Sequence, residues 1–507
     1  MMALRKNPHI YEINLMTWLD HLSHKENRTI TLKDIPRHEW RRLKDLGMDL
    51  IWLMGMWQRS PYSQRKARNE AGMVKECQSI LDDFDITDIV GSPYSIYNYE
   101  PNPTFGTLSE LRALKAVLEE EGLLLILDFV PNHIACDHPW VKKHPDRFIQ
   151  GEKAGSGKCD KGFFLSDTAF GEKCMAYGKD PYFPPWSDTA QINYFHPETA
   201  GALVETLTDL SAYCHGFRCD MAMLVLSAVF KKTWGPYLSD RDAHPDEFWP
   251  LAIDRLKSDG NPFLMLAEAY WDRETELIGH GFDYVYDKNL YDVLVKADIN
   301  GVRSQISRPV GQQEKMIRFL ENHDEPRAAA AFSPGKIRCA MIIQATLPGM
   351  RFWQHGQLEG NRIRVPVQLR REPPFPGDDE LTSFARFLLK EINHIVFHEG
   401  HWELCIIRGW PDNQSHHDLL AWFWELGEER RLIVVNFSAS PAQGYIQLPP
   451  DWVRDVNALL FHDPLENEKF YRPSSDIEQH GLFVDLESNG WHFFKIERLP
   501  ENPLIEK

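Results

Sequence analysis

Short apolar runs that alternate with amphipathic segments dominate the first 395 residues of the chain. Leu123 to Leu127 is one such run, and its length and composition predict a strand buried on both faces. The segment before it has helical periodicity. Thr107 and Glu110 form a capping box at its start, and Gly122 lies where a helix C-cap glycine is expected. A helix followed by a buried strand is typical of a parallel α/β fold.

The same pattern recurs along the chain and predicts eight strands in all. These strands are Ile10–Leu19, Leu50–Trp57, Leu123–Leu127, Phe217–Asp220, Phe263–Ala267, Phe282–Tyr286, Met316–Leu320 and Met350–Trp353. Eight strand–helix repeats in one chain predict an α/β fold of the (β/α)8 TIM-barrel class. Residues 58–105 show no clear period and are predicted to be irregular.

Two segments depart from the barrel pattern. Residues 134–195 are too long for a connecting loop, so we expect a small inserted domain, domain B, after the third strand. After about residue 395, Leu419–Trp424, Leu432–Phe437 and Trp491–Ile496 look like strands without helices between them. The predicted domains are therefore a barrel (1–133 and 196–394), domain B (134–195) and a C-terminal antiparallel β-sandwich domain (395–507).

Composition and charge narrow the class of protein. The chain is 43% hydrophobic and 26% charged, as in ordinary globular proteins, and no apolar run is long enough to span a membrane. With 56 basic and 74 acidic residues, its net charge of -18 disfavours nucleic acid and anionic membrane surfaces as partners. The eight cysteines form no CxxC pair and are predicted to be reduced. Residues 1–11 lack the apolar core of a secretory signal, which predicts a cytoplasmic protein.

Polar side chains follow the predicted strands at the ends where a parallel barrel carries its chemistry. They are Asp128, His133, Arg218, Asp220, Glu268, His323 and Asp324. The chain has neither zinc-ligand spacing nor a glycine-rich phosphate loop. Several carboxylates in one site push each other's pKa values apart, so that one can be protonated while another stays ionised. Glycoside hydrolysis needs this division between a nucleophile and an acid.

Local spacing predicts that Arg218 interacts with Asp220. For Asp128, His133, His323 and the aromatic residue Tyr94, a purely structural role stays open. Arg218 lies two residues before Asp220 on the same strand face, so it would keep Asp220 ionised. Asp128 is a candidate substrate-binding residue, but an acid at that position could equally brace a loop or Arg218. His133 and His323, taken alone, could be buried structural imidazoles. Tyr94 could belong to the core.

Four stretches together resemble the α-amylase family of retaining glycoside hydrolases. They are Asp128-Phe-Val-Pro-Asn-His133, Gly216-Phe-Arg-Cys-Asp220, Ala267-Glu268-Ala-Tyr270 and Glu321-Asn-His-Asp324, in the order that the family has them. The resemblance implies Asp220 as nucleophile, Glu268 as general acid/base and Asp324 as the carboxylate that stabilises the transition state. It also implies that His133, Arg218 and His323 surround the sugar and that Tyr94 is an aromatic platform beneath it. The small domain after strand three and the C-terminal β domain match the family as well.

The chain departs from the family pattern after Asp220. Many starch-cleaving members carry Lys-His where this chain has Met223 and Leu224, so we expect a short, apolar acceptor side. Asn132 matches one ligand of the family's structural calcium, but the other ligands have no clear match, and no cofactor is expected to be required. Trp271, three residues after the acid, is a candidate for stacking on a sugar.

The resemblance implies a retaining glycoside hydrolase that cleaves α-glucosidic bonds of α-glucans or maltooligosaccharides, with a carbohydrate as its substrate. The alternative is an α-glucan transglycosylase, a glucosyl- or maltosyltransferase that uses the same residues. A non-catalytic carbohydrate-binding protein on this fold is the third reading, and its signature would be the loss of one catalytic carboxylate. The choice of sugar and linkage, and the oligomeric state, stay open at this point.

Overall fold

Eight parallel strands close into a barrel in the computed structural model, which describes residues 4–153, 158–239 and 246–499. The barrel strands 1 to 8 are His9–Asn14, Leu50–Met54, Leu124–Phe129, Gly216–Cys219, Leu264–Ala267, Tyr284–Tyr286, Met316–Arg318 and Met350–Gln354. Each strand neighbours the ones before and after it in the chain, and the pairings are parallel. The predicted (β/α)8 fold class is confirmed. Parts of the three predicted domains, at 1–3, 154–157, 240–245 and 500–507, lie outside the described residues.

The first two predicted strands differ most from the strands in the structure. Strand 1 ends at Asn14 and is followed directly by the helix Leu15–Lys25, so the second half of the predicted strand was wrong. The predicted second strand is divided at Gly55, whose φ of +79° breaks the extended backbone. A separate strand, Trp57–Arg59, then pairs with Ile96–Pro101 in a two-stranded antiparallel sheet.

Helices occur in every part of the described chain. The α-helices are Leu15–Lys25, Arg37–Asp45, Pro61–Asn69, Ala71–Ile80, Leu108–Glu120, Pro139–Lys143, Thr199–Leu210, Ser227–Trp234, Phe248–Leu256, Glu274–Gly279, Lys288–Val295, Ile299–Ile306, Val310–Gln313, Ala328–Ala331, Pro334–Thr346, Asp379–Ile392, Val396–Glu399, Pro450–Val453 and Ser474–His480. Leu108–Glu120 begins with the predicted Thr107–Glu110 capping box, and Gly122 follows it at φ +73°.

The prediction that 58–105 is irregular was wrong. Two helices fill much of this segment, and Ser60 caps the first of them by accepting a hydrogen bond from the Ser63 backbone N–H, with Pro61 at the first helical position. These are standard helix-start signals, which the high Tyr, Pro and Asp content of the segment obscured. Buried Ala67 and Cys77 form part of a small apolar cluster here.

An antiparallel sheet occupies the segment after barrel strand 3. Its strands are His133–Ala135, Gln150–Gly151, Phe163–Thr168, Gly171–Gly178 and Trp186–Gln191. The sheet brings Cys159 and Cys174 together, with their Cα atoms 5.5 Å apart, and they form a disulfide. The prediction that all eight cysteines are reduced was therefore wrong, because the fold brings Cys159, which lies before the strand Phe163–Thr168, beside Cys174 on the strand Gly171–Gly178, and no short motif connects the two.

Antiparallel sheets also form the C-terminal part of the chain. A six-stranded sheet contains His401–Leu404, Leu419–Leu426, Glu429–Asn436, Ala458–Asp463, Glu468–Pro473 and Trp491–Leu499. A three-stranded sheet contains Ile407–Arg408, Ala442–Ile446 and Leu482–Leu486. Apolar side chains of both sheets, such as Leu432, Phe461 and Val484, share one core.

The chain divides into two compact units, and one of them is Ile10–Tyr286 with Ile363–Phe375. Barrel strands 2 to 6 belong to that unit, and strands 7 and 8 belong to the other. The predicted site residues are therefore considered below in two groups, one for each unit. Within the described ranges, no helix has both the length and the apolar character needed to cross a bilayer.

Candidate active site

Asp220 and Glu268 occupy equivalent places at the ends of neighbouring barrel strands. Asp220 directly follows strand 4 and Glu268 directly follows strand 5. The Glu268 N–H donates to the carbonyl of Cys219 at 3.0 Å, and the Asp220 N–H donates to the carbonyl of Phe129 at 2.8 Å. The hydrogen-bond ladder of the barrel thus continues past the strands and fixes the backbone of both acids.

Arg218 connects the two carboxylates through one buried guanidinium group. Its Nη1 donates to Oδ1 of Asp220 at 2.8 Å, and its Nη2 lies 2.9 Å from Oε2 of Glu268. The side chain of Arg218 is only 1% exposed, so screening by solvent is weak and both ion pairs are strong. The structure therefore brings together the arginine and both acids that the sequence singled out.

Three aromatic rings enclose the Arg218 guanidinium. Its carbon lies 5.0 Å from the ring centre of Trp52, 5.5 Å from that of Tyr94 and 5.6 Å from that of Tyr286. Burial alone would lower the pKa of Arg218, but the negative charges nearby, that of Glu268 foremost, hold this pKa well above its ordinary value. The group is therefore a permanent positive charge and one of the fixed electrostatic elements of the site.

Glu268 accepts further hydrogen bonds from its own surroundings. The Met221 backbone N–H donates to Oε2 at 2.6 Å, and the Tyr270 hydroxyl donates to Oε1 at 2.7 Å. Met221 has a φ of +42°, in the left-handed region that side chains rarely adopt. This backbone strain lies directly between the nucleophile candidate and the turn that holds the acid, as is common at functional sites.

Asp128 lies close to Arg218 and so supports the cluster that Arg218 forms with Asp220 and Glu268. It lies within barrel strand 3, and its Oδ2 accepts a hydrogen bond from the Gly55 N–H at 3.0 Å. Its Oδ1 lies 3.7 Å from Nη1 of Arg218, and both side chains are almost fully buried. This geometry favours the bracing role over direct contact with a substrate.

His133 lies in the first strand of the inserted sheet, close to aromatic side chains. Its ring centre is 5.0 Å from that of Trp186, and Gly178 leaves space for it, because a Cβ at Gly178 would lie 2.9 Å from that of His133. Burial lowers the pKa of His133 to about 4, although Asp188 and a hydrogen bond to the Tyr94 backbone oppose this shift. The imidazole is therefore neutral at pH 7, and it can accept or donate a hydrogen bond.

The surroundings of Asn132 do not fit a calcium site. Its side-chain oxygen accepts a hydrogen bond from Nε2 of Gln191 at 3.0 Å, and the same Nε2 bonds the Asn132 and Ile192 carbonyls at 3.0 and 3.1 Å. An amide N–H donor thus occupies the place where a calcium ion would lie between oxygen ligands. Over the ranges that the structure describes, no group of three or more His, Cys, Asp or Glu is arranged to hold a metal ion.

Asp324 and His323 belong to the other unit, on the segment that follows barrel strand 7. The Asn322 side-chain oxygen accepts the Asp324 backbone N–H at 2.9 Å, which fixes the turn that presents the carboxylate. Oδ2 of Asp324 lies 3.0 Å from Nε2 of His323, and the Asp324 side chain is 52% exposed while the imidazole is buried. Glu321, at the start of this motif, forms an ion pair with Arg327 at 3.0 Å.

Met223 and Leu224 do not form an apolar acceptor surface. Met223 is 0% exposed and Leu224 is 3% exposed, in the 3-10 turn Ala222–Val225. The prediction that these side chains replace a polar clamp at the acceptor side was wrong, because Met223 has no exposed surface and Leu224 alone exposes too little to form an apolar acceptor surface. Trp271, unlike Met223 and Leu224, is only half-buried. Its ring centre lies 4.9 Å from that of Tyr182, an exposed residue of the insertion.

Sequence reasoning missed several residues of the cluster. Trp52 and Tyr286 lie on barrel strands 2 and 6, and Tyr286 also accepts a hydrogen bond from Nε of Arg218 at 3.3 Å. Tyr286 is the last residue of its strand, so its position at a strand end was an available signal, whereas Trp52 lies in the middle of its strand and gave none. Tyr270 and the strained Met221 had no signal of their own, because their roles depend on local backbone geometry.

Comparisons with known proteins agree with the motifs and the barrel. Residues 39–181 match the family described as "Alpha amylase, catalytic domain". Alpha-amylase 3 of Dictyoglomus thermophilum is 24% identical over 324 residues, which cover 59% of this chain and 58% of that protein. The chain spans between 24% and 58% of the lengths of four curated relatives, Alpha-amylase 3 included.

Solved structures show the same fold over almost the whole chain. The maltogenic alpha-amylase AmyB of Thermotoga neapolitana has a TM-score of 0.68 at 18% identity and covers 96% of this chain and 98% of its own. The alpha-amylase of Geobacillus thermoleovorans, solved with acarbose, has a TM-score of 0.67 at 17% identity and covers 98% of this chain and all of its own. The four motifs, the matching segment and the closed barrel all agree with the catalytic domain of the alpha-amylase family.

Proposed function

We propose that the protein is a retaining glycoside hydrolase that cleaves α-glucosidic bonds of α-glucans or maltooligosaccharides. The observation that carries the proposal is the pair of buried acids, Asp220 and Glu268, at neighbouring strand ends and on one guanidinium group. Two carboxyl groups in close proximity are the requirement of a double-displacement mechanism. The names of the relatives and the acarbose complex of a structural neighbour support an α-glucan as the substrate.

In the proposed reaction the two acids have separate roles. The Asp220 carboxylate attacks the anomeric carbon of the sugar while Glu268 gives its proton to the departing glycosidic oxygen. The C–O bond to the leaving sugar breaks as the ester bond to Asp220 forms. Water then attacks the same carbon, Glu268 takes a proton from that water, and the sugar is released as Asp220 regains its charge.

The other predicted residues support this chemistry in the proposal. Asp324, whose carboxylate is half exposed and held by the Asn322 turn, stabilises positive charge that develops on the sugar ring. Tyr94 provides the aromatic surface beneath the sugar, and His133 and His323 donate hydrogen bonds to its hydroxyl groups. Arg218 and Asp128, both almost fully buried, act as positioning residues behind the acids.

Transfer to another acceptor and non-catalytic sugar binding are the alternatives. The apolar Met223 and Leu224 first suggested transfer, and their burial removes that argument. All three catalytic carboxylates are present, which disfavours a purely sugar-binding protein. Incubation with maltose, maltotriose, soluble starch, sucrose and trehalose, with and without an added sugar acceptor, distinguishes the three functions by their products.

The decisive variant is Asp220→Asn, which cannot form the glycosyl ester. We expect it to lose nearly all activity and to remain folded at the assay temperature, with a lowered melting temperature because Arg218 keeps its ion pair with Glu268 but loses the one with Asp220. Asp283→Asn is the matched control, because Asp283 also pairs with a basic side chain, Lys257 at 2.7 Å, and has no proposed part in catalysis. Activity of Asp220→Asn within about tenfold of wild type, or ~1.4 kcal/mol of barrier, contradicts the assignment.

The stereochemistry of the first product tests the retaining mechanism. We expect a separation of roughly 5 to 5.5 Å between the Asp220 and Glu268 carboxyl groups in the substrate complex, as in retaining enzymes. Proton NMR during early turnover should then show the α anomer first. From an α-linked substrate, a β anomer as the first product excludes the double displacement.

A further inference from the structure

The two carboxyl oxygens of Glu268 have different partners. The Met221 backbone N–H donates to Oε2 at 2.6 Å, and Nη2 of Arg218 lies 2.9 Å from the same oxygen. The Tyr270 hydroxyl is at the other oxygen, Oε1, at 2.7 Å. The Glu268 side chain is only 3% exposed, so these protein groups take the place that water has around a surface carboxylate. The proposed reaction so far gives Tyr270 no part.

The groups at Oε2 disfavour a proton on that oxygen. A backbone N–H and a guanidinium group can only donate hydrogen bonds, so neither can accept one from a protonated Oε2. A proton there would also oppose the positive charge of Arg218. When Glu268 acts as an acid, the proton that it gives away should therefore come from Oε1.

A tyrosine hydroxyl suits Oε1 in both protonation states of Glu268. It can donate to the carboxylate, and it can accept from the carboxylic acid. While the Oε1–H group points at a leaving oxygen, the hydroxyl can still donate to the remaining lone pair of Oε1. This hydrogen bond becomes charge-assisted and stronger as the proton departs and Oε1 gains negative charge. An interaction that strengthens along the reaction lowers the barrier instead of merely improving substrate binding.

The backbone that follows Tyr270 is strained. Trp271 and Asp272 have φ angles of +61° and +57°, so two consecutive non-glycine residues lie in the left-handed region. Their turn brings the Arg273 N–H to within 3.3 Å of the Tyr270 carbonyl, which accepts it. Such strain persists where the surrounding structure requires it, and it is common at functional sites. It is an observation independent of the hydrogen bond that indicates a functional position for Tyr270.

We propose that Tyr270 is a positioning residue that holds Oε1 of Glu268 and stabilises the charge that forms there during proton transfer. In the first step the Oε1–H bond breaks, and the proton forms a new O–H bond with the glycosidic oxygen. In the second step a proton of the attacking water returns to Oε1. Tyr270 keeps its own proton throughout, so both residues end in their starting states. This inference rests on the proposed function, in which Glu268 is the acid.

The test compares two substrates that differ in their need for an acid. The leaving sugar of maltotriose must be protonated, whereas the fluoride of α-maltosyl fluoride leaves with little help from an acid. The measured quantity is kcat/KM for each substrate, because it reports transition-state stabilisation relative to the free enzyme and substrate. We expect Tyr270→Phe to lower kcat/KM about tenfold or more for maltotriose and less than about threefold for the fluoride.

Three controls accompany the variant. Glu268→Gln removes the acid itself and should lower kcat/KM for maltotriose far more than for α-maltosyl fluoride. Tyr237→Phe removes the hydroxyl of a 43% exposed tyrosine with no proposed part in catalysis, and it should match wild type on both substrates. Tyr270→Phe keeps the aromatic ring, whose centre lies 6.5 Å from that of Trp271, and its melting temperature verifies that it folds.

A loss confined to maltotriose supports the inference. Unchanged values on both substrates overturn it, and so does an equal loss on both, which would assign Tyr270 a purely structural role. If Glu268→Gln shows the selective loss and Tyr270→Phe does not, only the inference about Tyr270 is wrong. If the wild type cleaves neither substrate, the proposed function is wrong, and this inference is wrong with it.

Discussion

Arg218 offers the sharpest test of how the two buried acids are held. The guanidinium pairs with Asp220 at 2.8 Å and with Glu268 at 2.9 Å, and it lies 3.7 Å from Asp128. Arg218→Gln removes a cation that lies close to all three carboxylates. We expect the variant to lose both stability and activity, because three acids would then share a poorly solvated space without their common cation.

The expected loss of stability in Arg218→Gln follows from the burial of these charged groups. Removal of one partner from a buried ion pair typically destabilises a protein by about 3 to 5 kcal/mol, because the remaining charge is left without compensation. In Arg218→Gln the acids can relieve part of this repulsion by binding a proton. The loss should therefore be about 3 kcal/mol or more at pH 7 and smaller at pH 5. Arg218→Lys should recover little, because one ammonium group cannot reach both acids as the planar guanidinium does.

The assay compares melting temperatures by calorimetry at pH 5 and pH 7, together with activity on maltotriose. Arg338→Gln is the control for loss of an arginine, since Arg338 pairs with the exposed Glu380 at 3.0 Å and should change stability by less than about 1 kcal/mol. The double variant Arg218→Gln/Asp220→Asn should be less destabilised than the sum of its single variants, since it leaves one charge fewer unpaired. A pH-independent change no larger than that of the control would refute the reasoning.

Two further predictions concern the inserted sheet. Burial lowers the pKa of His133 to about 4 in the folded protein, so as the pH falls the imidazole binds a proton more readily in the unfolded chain than in the folded one. The free energy of unfolding should therefore decrease as the pH drops from about 6.5 to 4, by at most about 3 kcal/mol for this residue. Melting temperatures at pH 7 and 4.5 should therefore differ less in His133→Gln than in wild type, and an unchanged difference argues against the buried neutral imidazole. Gln191→Ala should lower stability by about 1 to 3 kcal/mol through loss of its bonds to Asn132 and Ile192, while EDTA should leave the wild-type melting temperature unchanged. A fall in that temperature with EDTA would mean that a metal ion, not Gln191, holds this turn.

Periodicity predicted the barrel well because each of its strands is buried on both faces. A run such as Leu123–Leu127 can be recognised as a strand without knowledge of what packs against it. Few structures other than a buried strand fit a short, continuous apolar run between Gly and Pro. It failed where tertiary geometry overrides composition. Gly55 ends barrel strand 2 through its left-handed φ, and Cys159 meets Cys174 only because the fold brings the segment before Phe163 beside the strand Gly171–Gly178.

The candidate site likewise has contacts that the sequence could predict and contacts that it could not. The spacing of Arg218 and Asp220 on one strand predicted their contact, because alternate residues of a strand share a face. Glu268 could be placed at the end of the next strand by the repeat alone. The donors that surround it could not be predicted, because the Met221 N–H reaches Glu268 only through a left-handed backbone turn and the Tyr270 hydroxyl through a loop.

The burial of Met223 changes what its substitution should do. A lysine in place of Met223, which is 0% exposed, would bury an unpaired ammonium group and destabilise the protein by about 3 kcal/mol or more. Leu251→Lys, at a half-exposed position of the helix Phe248–Leu256, is the control and should have almost no effect on the melting temperature. Chain-length preference, measured as the ratio of kcat/KM for maltoheptaose and maltotriose, should respond instead to Trp271→Ala, because Trp271 is half-buried against exposed Tyr182. If Met223→Lys keeps the wild-type melting temperature and raises that ratio, the side chain at 223 reaches the acceptor and the argument from burial fails.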